Sequence, residues 1–276
     1  MTRLFRKMLR KPLGALGLLI VLTLVVVAVF APQIAPFSPT QANFMAMLQP
    51  ADQTYLLGTD ELGRDVLSRL IWGARASLQA GLIAVLLAAG IGVPIGLLSG
   101  YFRGPLDEYV VMRITDAMMA FPVIVLALAM TAVLGPSLQT AMIAIGIVYA
   151  PIFIRLARAQ TLSVRETEYV EAARALGNRH LVIMLKHVLP NIASPLIIQM
   201  SVSMATAILV ESALSFLGLG VQPPTPSWGS MLRIGTNYMQ DAPWIAFWAG
   251  FAIFVTVLGI NLFGDALRDV LDPRDR

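Results

Sequence analysis

Few side chains in this sequence have the type and spacing that enzymatic chemistry requires. The phosphate-binding pattern GxxxxGK does not occur, so we do not expect the chain to bind ATP in that manner. The two histidines, His180 and His187, have no thiolate to join them, because the chain has no cysteine, and no carboxylate cluster lies beside them. We therefore predict no catalytic residue, no metal ligand and no cofactor bound by this chain.

Polar side chains inside the apolar runs are the second kind of candidate for a functional role. Glu211 is the sole carboxylate well inside a predicted membrane span, where a charge is costly and usually faces a cavity or a partner. It could line a path, but its place in the last third of a long run favours a buried structural role. Gln199, Ser203 and Met204 precede it in the same run. They could line a translocation path, since polar groups suit amides and methionine adapts its shape, or bond to neighbouring helices.

A polar segment, EAARALGNRHLVIMLKHVLP from Glu171 to Pro190, interrupts the apolar sequence. Ser163 followed by Glu166 has the spacing of a capping box and predicts a helix from there to Leu176. Gly177 is the predicted left-handed stop of that helix.

A second short helix is predicted to follow at once. Asn178 is its candidate N-cap. Leu181, Leu185 and Val188 have the i, i+4 and i+7 spacing that places them on one helical face. Pro190 can begin the next helix but cannot lie inside one.

The composition identifies the elements that must hold these segments. The chain has 276 residues, of which 57% are hydrophobic and 13% charged, and its mean hydropathy is +0.76. A soluble domain has about half apolar and about a quarter charged residues. The sequence therefore predicts an all-α, polytopic membrane protein, in which membrane lipid is a constant partner.

Six membrane spans can be read from the apolar runs. The first, Leu13–Ala31, has no charge, is long enough to cross about 30 Å of hydrocarbon, and is too long for a signal peptide core. The predicted spans are residues 13–31, 77–99, 117–134, 138–154, 192–218 and 243–264. The main segments outside them are residues 1–12, 32–76, 155–191, 219–242 and 265–276. We predict a single membrane domain over 70–264.

The long segment 32–76 is predicted to hold an amphipathic helix that lies along the membrane surface. Thr59 or Asp60 could cap it. Its apolar positions are Leu62, Val66 and Leu70. Two ion pairs are predicted on its opposite side, Asp60–Arg64 and Asp65–Arg69.

The basic residues predict the orientation. They number five in 1–12, two in 101–116, six in 155–190 and three in 265–276, against three in 32–76 and one in 220–242. Because lysine and arginine concentrate in cytoplasmic loops, both termini and the segment 155–191 are predicted to be cytoplasmic. The formal charge of +4 thus reports topology and does not call for a nucleic-acid partner.

Three phrases carry a resemblance to a known family. The first consists of EAA, three further residues, Gly, nine further residues and then HVLP. It resembles the EAA signature of ABC-importer permeases. His187 stands where the general pattern has Ile. The other two, LGTDELGRDVLSRL and SFLGLGVQPPTPSWG, resemble the C-type subunits of the dipeptide, oligopeptide and nickel branch. This chain is thereby identified as a member of that branch.

The resemblance implies a fold, partners and a location. The fold would be that of a type I ABC importer, with a cytoplasmic coupling loop that docks on an ATPase. The partners would be a homologous second permease in a heterodimer, two ATPase subunits that bind ATP and Mg, and a periplasmic or lipid-anchored binding protein. The chain would lie in a bacterial inner membrane and form half of a path for di- or oligopeptides.

The resemblance also implies which residues couple transport to ATP hydrolysis. They are Glu171, Ala172, Ala173, Gly177, Leu189 and Pro190. The small alanines would permit close docking and Gly177 would set the turn. The path candidates are Gln199, Ser203, Met204 and Glu211.

Other functions stay open at this point. The binding protein does much of the selection in such systems, so an importer of nickel or another small solute fits the same sequence. A proton-coupled secondary transporter would need a titrating group within the membrane, for which Glu211 is the sole candidate. A membrane-embedded enzyme or a non-transporting scaffold is the third class, and the lack of clustered catalytic side chains argues against the enzyme.

Overall fold

The computed structural model describes residues 11–271. The basic residues before Lys11 and those of the last five positions, which contribute to the orientation prediction, lie outside this part. The helices are α1 (Pro12–Val29), α2 (Ala31–Ile34), α3 (Val66–Phe102), α4 (Met112–Met119), α5 (Val123–Leu134), α6 (Leu138–Val164), α7 (Glu168–Ala175), α8 (His180–Ile183), α9 (Leu189–Phe216), α10 (Trp228–Asn237) and α11 (Pro243–Leu271). Shorter helical turns are Phe44–Ala46, with 3₁₀ geometry, and Leu106–Val111 and Met184–Val188, with π geometry.

Five of the described helical stretches are long and apolar enough to cross a membrane. They are α1, α3, α6, the stretch His180–Phe216 that contains α9, and α11. A sixth span results if Leu106–Met119 and Val123–Leu134 count as one, although these segments meet at 97°. The predicted span 117–134 is therefore broken. Pro122 explains the break, because proline lacks an amide hydrogen and disfavours helical backbone in the residue before it.

The other helices extend past the apolar runs. α3 covers the predicted 77–99 and continues at both ends, and α6 continues from 154 to Val164. The extensions, such as 155–164, contain alanine, arginine, leucine and glutamine, which favour helical backbone although they lower the hydropathy. Hydropathy therefore locates these helices but not their ends.

The bundle has two distinct ends. Lys11 at the start of α1 forms an ion pair with Asp269 near the end of α11, with 2.6 Å between Nζ and Oδ2. The segment 165–190 between α6 and α9 lies at this end, which we call the loop end. Residues 35–65 and 217–242 lie at the opposite end, where two tryptophan side chains donate hydrogen bonds to backbone carbonyls of residues 59 and 70.

The closest helix packing is between α3 and α6. Gly92, Gly96 and Gly100 recur every four residues along α3 and are buried against α6. A Cβ atom at Gly92 would lie 2.6 Å from the Ala150 carbonyl oxygen, and one at Gly100 would lie 2.7 Å from that of Arg158. A four-residue glycine repeat of this kind can be recognised in the sequence and favours close approach of two helix backbones, which the structure shows here.

The glycine contact supports a stability prediction. Gly92→Leu places a side chain against the Ala150 carbonyl and the Phe153 side chain, where the helices cannot separate without losing core contacts. We expect it to lower the free energy of unfolding by about 3 kcal/mol, at the upper end of overpacking effects. Gly90→Leu is the matched control, because Gly90 lies in the same helix with open space around it. Thermal unfolding of both purified variants checks this, and equal losses would contradict it.

The surface helix predicted from Thr59 or Asp60 does not form, and that prediction is wrong. α3 begins only at Val66, after Asp65, whose carboxylate accepts a hydrogen bond of 2.8 Å from an amide of the first turn. Gly63 takes a φ of +69°, a conformation that ends any helix started before it. The residues before Val66 form a compact turn, and α3 then continues without interruption into the span.

The charged residues of that turn form a buried network. Arg64 Nε lies 2.7 Å from Asp60 Oδ2, as the predicted pair requires, and Arg64 also contacts Glu61 at 2.6 Å. The predicted Asp65–Arg69 pair is not made, because Asp65 caps α3 and the Arg69 Nε atom lies 3.2 Å from Asp60 instead. We call Asp60, Glu61, Arg64 and Arg69 the Asp60 network.

Candidate coupling loop and translocation path

The coupling loop, residues 165–190, begins later than its sequence predicts. Ser163 lies inside α6, so the capping box with Glu166 is wrong. Thr167 has extended backbone and precedes α7. The hydrogen bond of 2.8 Å from Arg165 holds the pKa of the Glu166 carboxyl below its ordinary value. Arg165 also donates to the Tyr101 carbonyl at 2.8 Å, which fastens the end of α6 to the end of α3.

α7 ends in a Schellman motif. Gly177 has a φ of +76°, as its place after Leu176 predicts. The Gly177 amide donates to the Arg174 carbonyl at 3.0 Å, and the Asn178 amide donates to the Ala173 carbonyl at 3.2 Å. The Asn178 side chain also donates to Ala173, at 3.0 Å, and therefore secures the end of α7. Its predicted role as the cap of the next helix is wrong, since Arg179 occupies that position.

The second half of the loop does not keep a regular helical face. Leu181 and Leu185 are exposed, whereas Val188 is fully buried. The π turn Met184–Val188 explains the difference, because its extra residue per turn rotates the side chains that follow. The predicted common face of these three residues is therefore wrong.

One side of the loop packs on the bundle itself. Val170 and Ile183 are fully buried in the main core, and Ala173 is buried beside them. The Tyr101 hydroxyl at the end of α3 lies 3.0 Å from His180 Nδ1. No local sequence pattern connects Tyr101 to His180, so sequence reasoning missed this link. The loop is thus fixed to α3 by side-chain as well as backbone contacts.

The other side of the loop is exposed and partly apolar. Glu171 and Ala172 face outward, and Leu176 is 83% exposed. Tyr169 and Leu181 extend this face. Of the remaining predicted coupling residues, Ala173 faces the chain's own core, Leu189 is half-buried and Pro190 is exposed at the start of α9. The predicted coupling residues therefore do not share one surface.

The two histidines have separate surroundings. His180 contacts Tyr101, and the backbone carbonyl of His187 accepts a hydrogen bond of 2.7 Å from Asn191. Within residues 11–271, no group of three histidine or acidic side chains is placed to hold a metal ion. The His180 side chain therefore links the loop to α3, and His187 contributes its backbone carbonyl.

A groove of about 620 Å³ runs between α1, α3, α9 and α11. Most of its lining is apolar, and its polar lining residues are Arg75, Gln79 and Ser201. Met200 and Met204 of α9 also line it. We call this cavity the α1–α9 groove.

Gln199 and Ser203 lie elsewhere on α9. The Gln199 side chain donates to the Ser203 hydroxyl at 3.1 Å, and Ser203 is buried in the bundle. Neither residue lines the α1–α9 groove. The helical spacing of these residues was readable from sequence, but the face of α9 that borders the groove was not.

Glu211 is fully buried, with 0% of its surface exposed. The Ser215 hydroxyl donates to its Oε1 atom at 2.7 Å, and the Val221 amide donates to the same hydroxyl at 3.0 Å. Its Oε2 atom has no hydrogen-bond partner among the described residues. Glu211 therefore tethers the end of α9 to the following loop, which agrees with the structural interpretation of this residue.

Two arginines of α6 reach acidic residues beside the broken span. Arg158 makes a bidentate contact with Asp107, at 2.8 and 2.6 Å. Arg155 lies 2.6 Å from Asp116, and both side chains of this pair are 52% exposed. No local sequence pattern connects the partners of either pair.

Two family models match the chain. Residues 92–276 match the binding-protein-dependent transport system inner membrane component, and residues 1–51 match the N-terminal transmembrane domain of oligopeptide transport permease C. The first match alone spans more than half of the sequence. The chain belongs to this family of ABC-importer permeases. The resemblance carried by the segment Glu171–Pro190 is confirmed.

Curated relatives of this permease align over nearly its whole length. It is 44% identical over 270 residues to the dipeptide transport system permease protein DppC of Alkalihalophilus pseudofirmus, which covers 98% of this chain and 88% of the relative. It is 46% identical over 271 residues to the di/tripeptide transport system permease protein DppC of Pseudomonas aeruginosa, covering 95% and 88%. It is 42% identical over 263 residues to the probable D,D-dipeptide transport system permease protein DdpC of Escherichia coli K12, again covering 95% and 88%.

A solved structure shares the fold. A chain of the MetNI methionine ABC transporter, in an inward-facing conformation, aligns with this permease at a TM-score of 0.61 and 20% identity. The alignment covers 74% of this chain and 96% of that chain. At this identity the likeness shows the fold alone. The predicted all-α permease fold is confirmed, and the chain is a multi-pass inner membrane protein.

Proposed function

We propose that this permease is the C-type transmembrane subunit of an importer for di- and oligopeptides and that it couples to a cytoplasmic ATPase through residues 165–190. The exposed face of the coupling loop carries this proposal. An apolar side chain as exposed as Leu176, on a loop whose other side is fixed in the core, suits a protein partner. The peptide class comes from the relatives, whose names refer to dipeptides and tripeptides.

The half-exposed charges beside the broken span support a second permease as partner. Asp116 and Arg155 lie one residue outside the predicted spans 117–134 and 138–154, and about half of each side chain is open to a protein partner. The non-helical backbone at Phe121–Pro122 also needs a neighbour, because backbone groups at membrane depth require water or protein beside them. A homologous permease, with a water-filled path between the subunits, would cover this flank.

The path itself is proposed to include the α1–α9 groove. Met204 supports this directly, since it lines the groove, and Met200 adds a second adaptable side chain. Gln199, Ser203 and Glu211 are buried or half-buried in this conformation. They would contribute to the path only in a state that rotates α9.

The remaining partners and the orientation follow from the same proposal. The loop end would be cytoplasmic, together with both termini, as the distribution of basic residues predicts. Two ATPase subunits would bind ATP and Mg there. A periplasmic or lipid-anchored binding protein would deliver the peptide at the opposite end.

Leu176→Glu tests the proposal. We expect it to reduce co-purification of the ATPase subunits at least about tenfold, because docking would have to desolvate the new carboxylate. Met45→Glu is the matched control, since Met45 is equally exposed but lies at the opposite end. The measurement is ATPase recovery and peptide-stimulated ATP hydrolysis of the affinity-purified complex in nanodiscs.

Three outcomes of this experiment would count against the proposal. Undiminished recovery with Leu176→Glu contradicts the docking face. Failure of any ATPase to co-purify with the unaltered permease contradicts the coupling, and proton-driven uptake would then be tested with Glu211→Gln. Stimulation by chelated nickel but not by peptides would replace the substrate class.

A further inference from the structure

A pocket of about 360 Å³ opens at the end of the bundle opposite the coupling loop. Its walls come from the turn before α3, the start of α3, the loop after α9 and the helix α10. Its charged lining residues are Glu61, Arg64, Arg69 and Arg233. We call it the Arg233 pocket. Its volume lies in the range of about 300–1,000 Å³ that is usual for small-molecule sites.

The inner wall of the pocket is rigid and nearly neutral. It is the Asp60 network, in which Arg64 and Arg69 are at most 5% exposed and share the Asp60 carboxylate. Glu61 supplies a second carboxylate, which lies 2.6 Å from the Arg64 guanidinium. Two arginines and two carboxylates therefore neutralise each other there.

Two polar groups are left over in the pocket. Arg233 makes no ion pair within residues 11–271, and its guanidinium packs over Gly218, where a side chain would collide with it. The Oε2 atom of Glu61 is buried and has no hydrogen-bond partner among those residues. An unsatisfied buried acceptor is costly, so a ligand donor that reaches Oε2 after a small movement of the Glu61 side chain gains affinity.

The surroundings of the Glu61 carboxyl favour the binding of a cationic or N–H group beside it. Burial raises the pKa of the Glu61 carboxyl above its ordinary value, and the neighbouring Asp60 carboxylate adds to the rise. Arg64 and Arg69 oppose it. A donor bound at Oε2 would stabilise the ionised form and bring the pKa down again.

The rest of the lining suits peptide groups. Uncharged side chains with both donors and acceptors surround the charged ones, namely Gln222, Thr225, Ser230 and Asn237. A guanidinium binds a carboxylate with two parallel hydrogen bonds, which fixes its orientation. The pocket thus offers a cation, an acceptor and uncharged polar groups within the length of a short peptide.

We propose that the Arg233 pocket binds the free carboxylate of a short peptide at Arg233, while Glu61 accepts a hydrogen bond from its N–H groups. This rests on the proposed function as a peptide importer. A lone acidic side chain of a docked protein fits less well, because it would satisfy Arg233 and leave the Glu61 acceptor without a donor. The pocket would hold the peptide at the entrance before it reaches the path.

The test is titration of the full-length permease in lipid nanodiscs, without a binding protein, by isothermal calorimetry. Ala-Ala is compared with its C-terminal amide and with N-acetyl-Ala-Ala. We expect Arg233→Gln to weaken Ala-Ala at least tenfold, Arg233→Lys to weaken it less, and the amide to bind poorly throughout. Arg113→Gln, which alters an exposed arginine at the loop end, is the matched control and should bind like the unaltered permease.

Glu61→Gln provides a second, independent readout. We expect this variant to lose the preference for Ala-Ala over N-acetyl-Ala-Ala, while both acids still bind more tightly than the C-terminal amide, which shows that the Arg233 side of the pocket is intact. Unchanged Ala-Ala affinity in Arg233→Gln, or equal affinity for acid and amide, would overturn the proposal. So would a loss of binding-protein docking in Arg233→Gln with no change in peptide affinity.

The failure of this proposal can be told apart from the failure of the proposed function. If the complete transporter imports peptides but the permease alone does not bind Ala-Ala at millimolar concentration, the pocket proposal fails alone. If the complete transporter imports no peptide, the proposed function fails as well.

Discussion

A permease that carries Gly177→Asp is expected to insert and fold but to lose at least about nine-tenths of its peptide uptake, equivalent to about 1.4 kcal/mol of coupling. Gly177 has a φ of +76° and open space around its Cβ position, so the new Cβ atom meets no atom among residues 11–271. Aspartate tolerates the left-handed region at a cost of about 1 kcal/mol. The damage would therefore arise where the loop meets the ATPase, which would have to accept an added charge.

Gly104→Asp is the matched control. Gly104 also has a positive φ, +122°, with open space around it, but it lies outside residues 165–190. Uptake and ATP hydrolysis are measured together in proteoliposomes that contain the complete transporter. Normal uptake in Gly177→Asp contradicts the docking role, and an equal loss in the control assigns the effect to backbone strain.

Asp60→Asn is expected to lower the free energy of unfolding by about 3–5 kcal/mol, the cost of removing one partner from a buried ion pair. The Asp60 carboxylate is 2% exposed and compensates Arg64 and Arg69 together. Asparagine keeps an acceptor for the backbone amides of Leu62 and Arg64 but leaves the two buried guanidinium groups undercompensated. A domain is stable by only about 5–15 kcal/mol, so the loss should be conspicuous in thermal unfolding.

Asp116→Asn serves as the comparison for that measurement. Asp116 also pairs with an arginine at 2.6 Å, but half of its surface is open to solvent in the isolated chain. An exposed pair of this kind contributes about 1 kcal/mol or less. Similar destabilisation by the two substitutions would show that the Asp60 network is solvated and would weaken the case for a rigid pocket wall.

Among the local sequence patterns, those of glycine predicted local structure correctly. The glycine repeat at Gly92, Gly96 and Gly100 predicted close packing, because a helix face without side chains lets the backbone of a neighbouring helix approach. Gly177 predicted a left-handed stop for the same reason. Ser163 failed as a cap because α6 continues through it, and the chain is held there by a contact from Arg165 to the end of α3.

The candidate site was harder to predict, since it depends on which face of each helix meets the core. Ala173 and Leu176 stand three residues apart in α7 and its cap, yet the first is buried and the second is exposed. Leu185 and Val188 both lie in the π turn, whose extra residue has no sequence signature of its own. Met204 lines the α1–α9 groove, whereas Ser203 is buried in the bundle, a difference that the sequence did not reveal.

The length of α3 has a mechanical consequence. Its 37 residues extend for about 55 Å, well beyond the hydrocarbon thickness of about 30 Å. One end holds Tyr101 in contact with the coupling loop, and the other begins beside the Asp60 network. Pro94 removes one hydrogen bond, but the glycines on either side of it clamp α3 to α6. The pair can act as a lever, and a tilt of about 5° at the loop would displace the far end by about 5 Å.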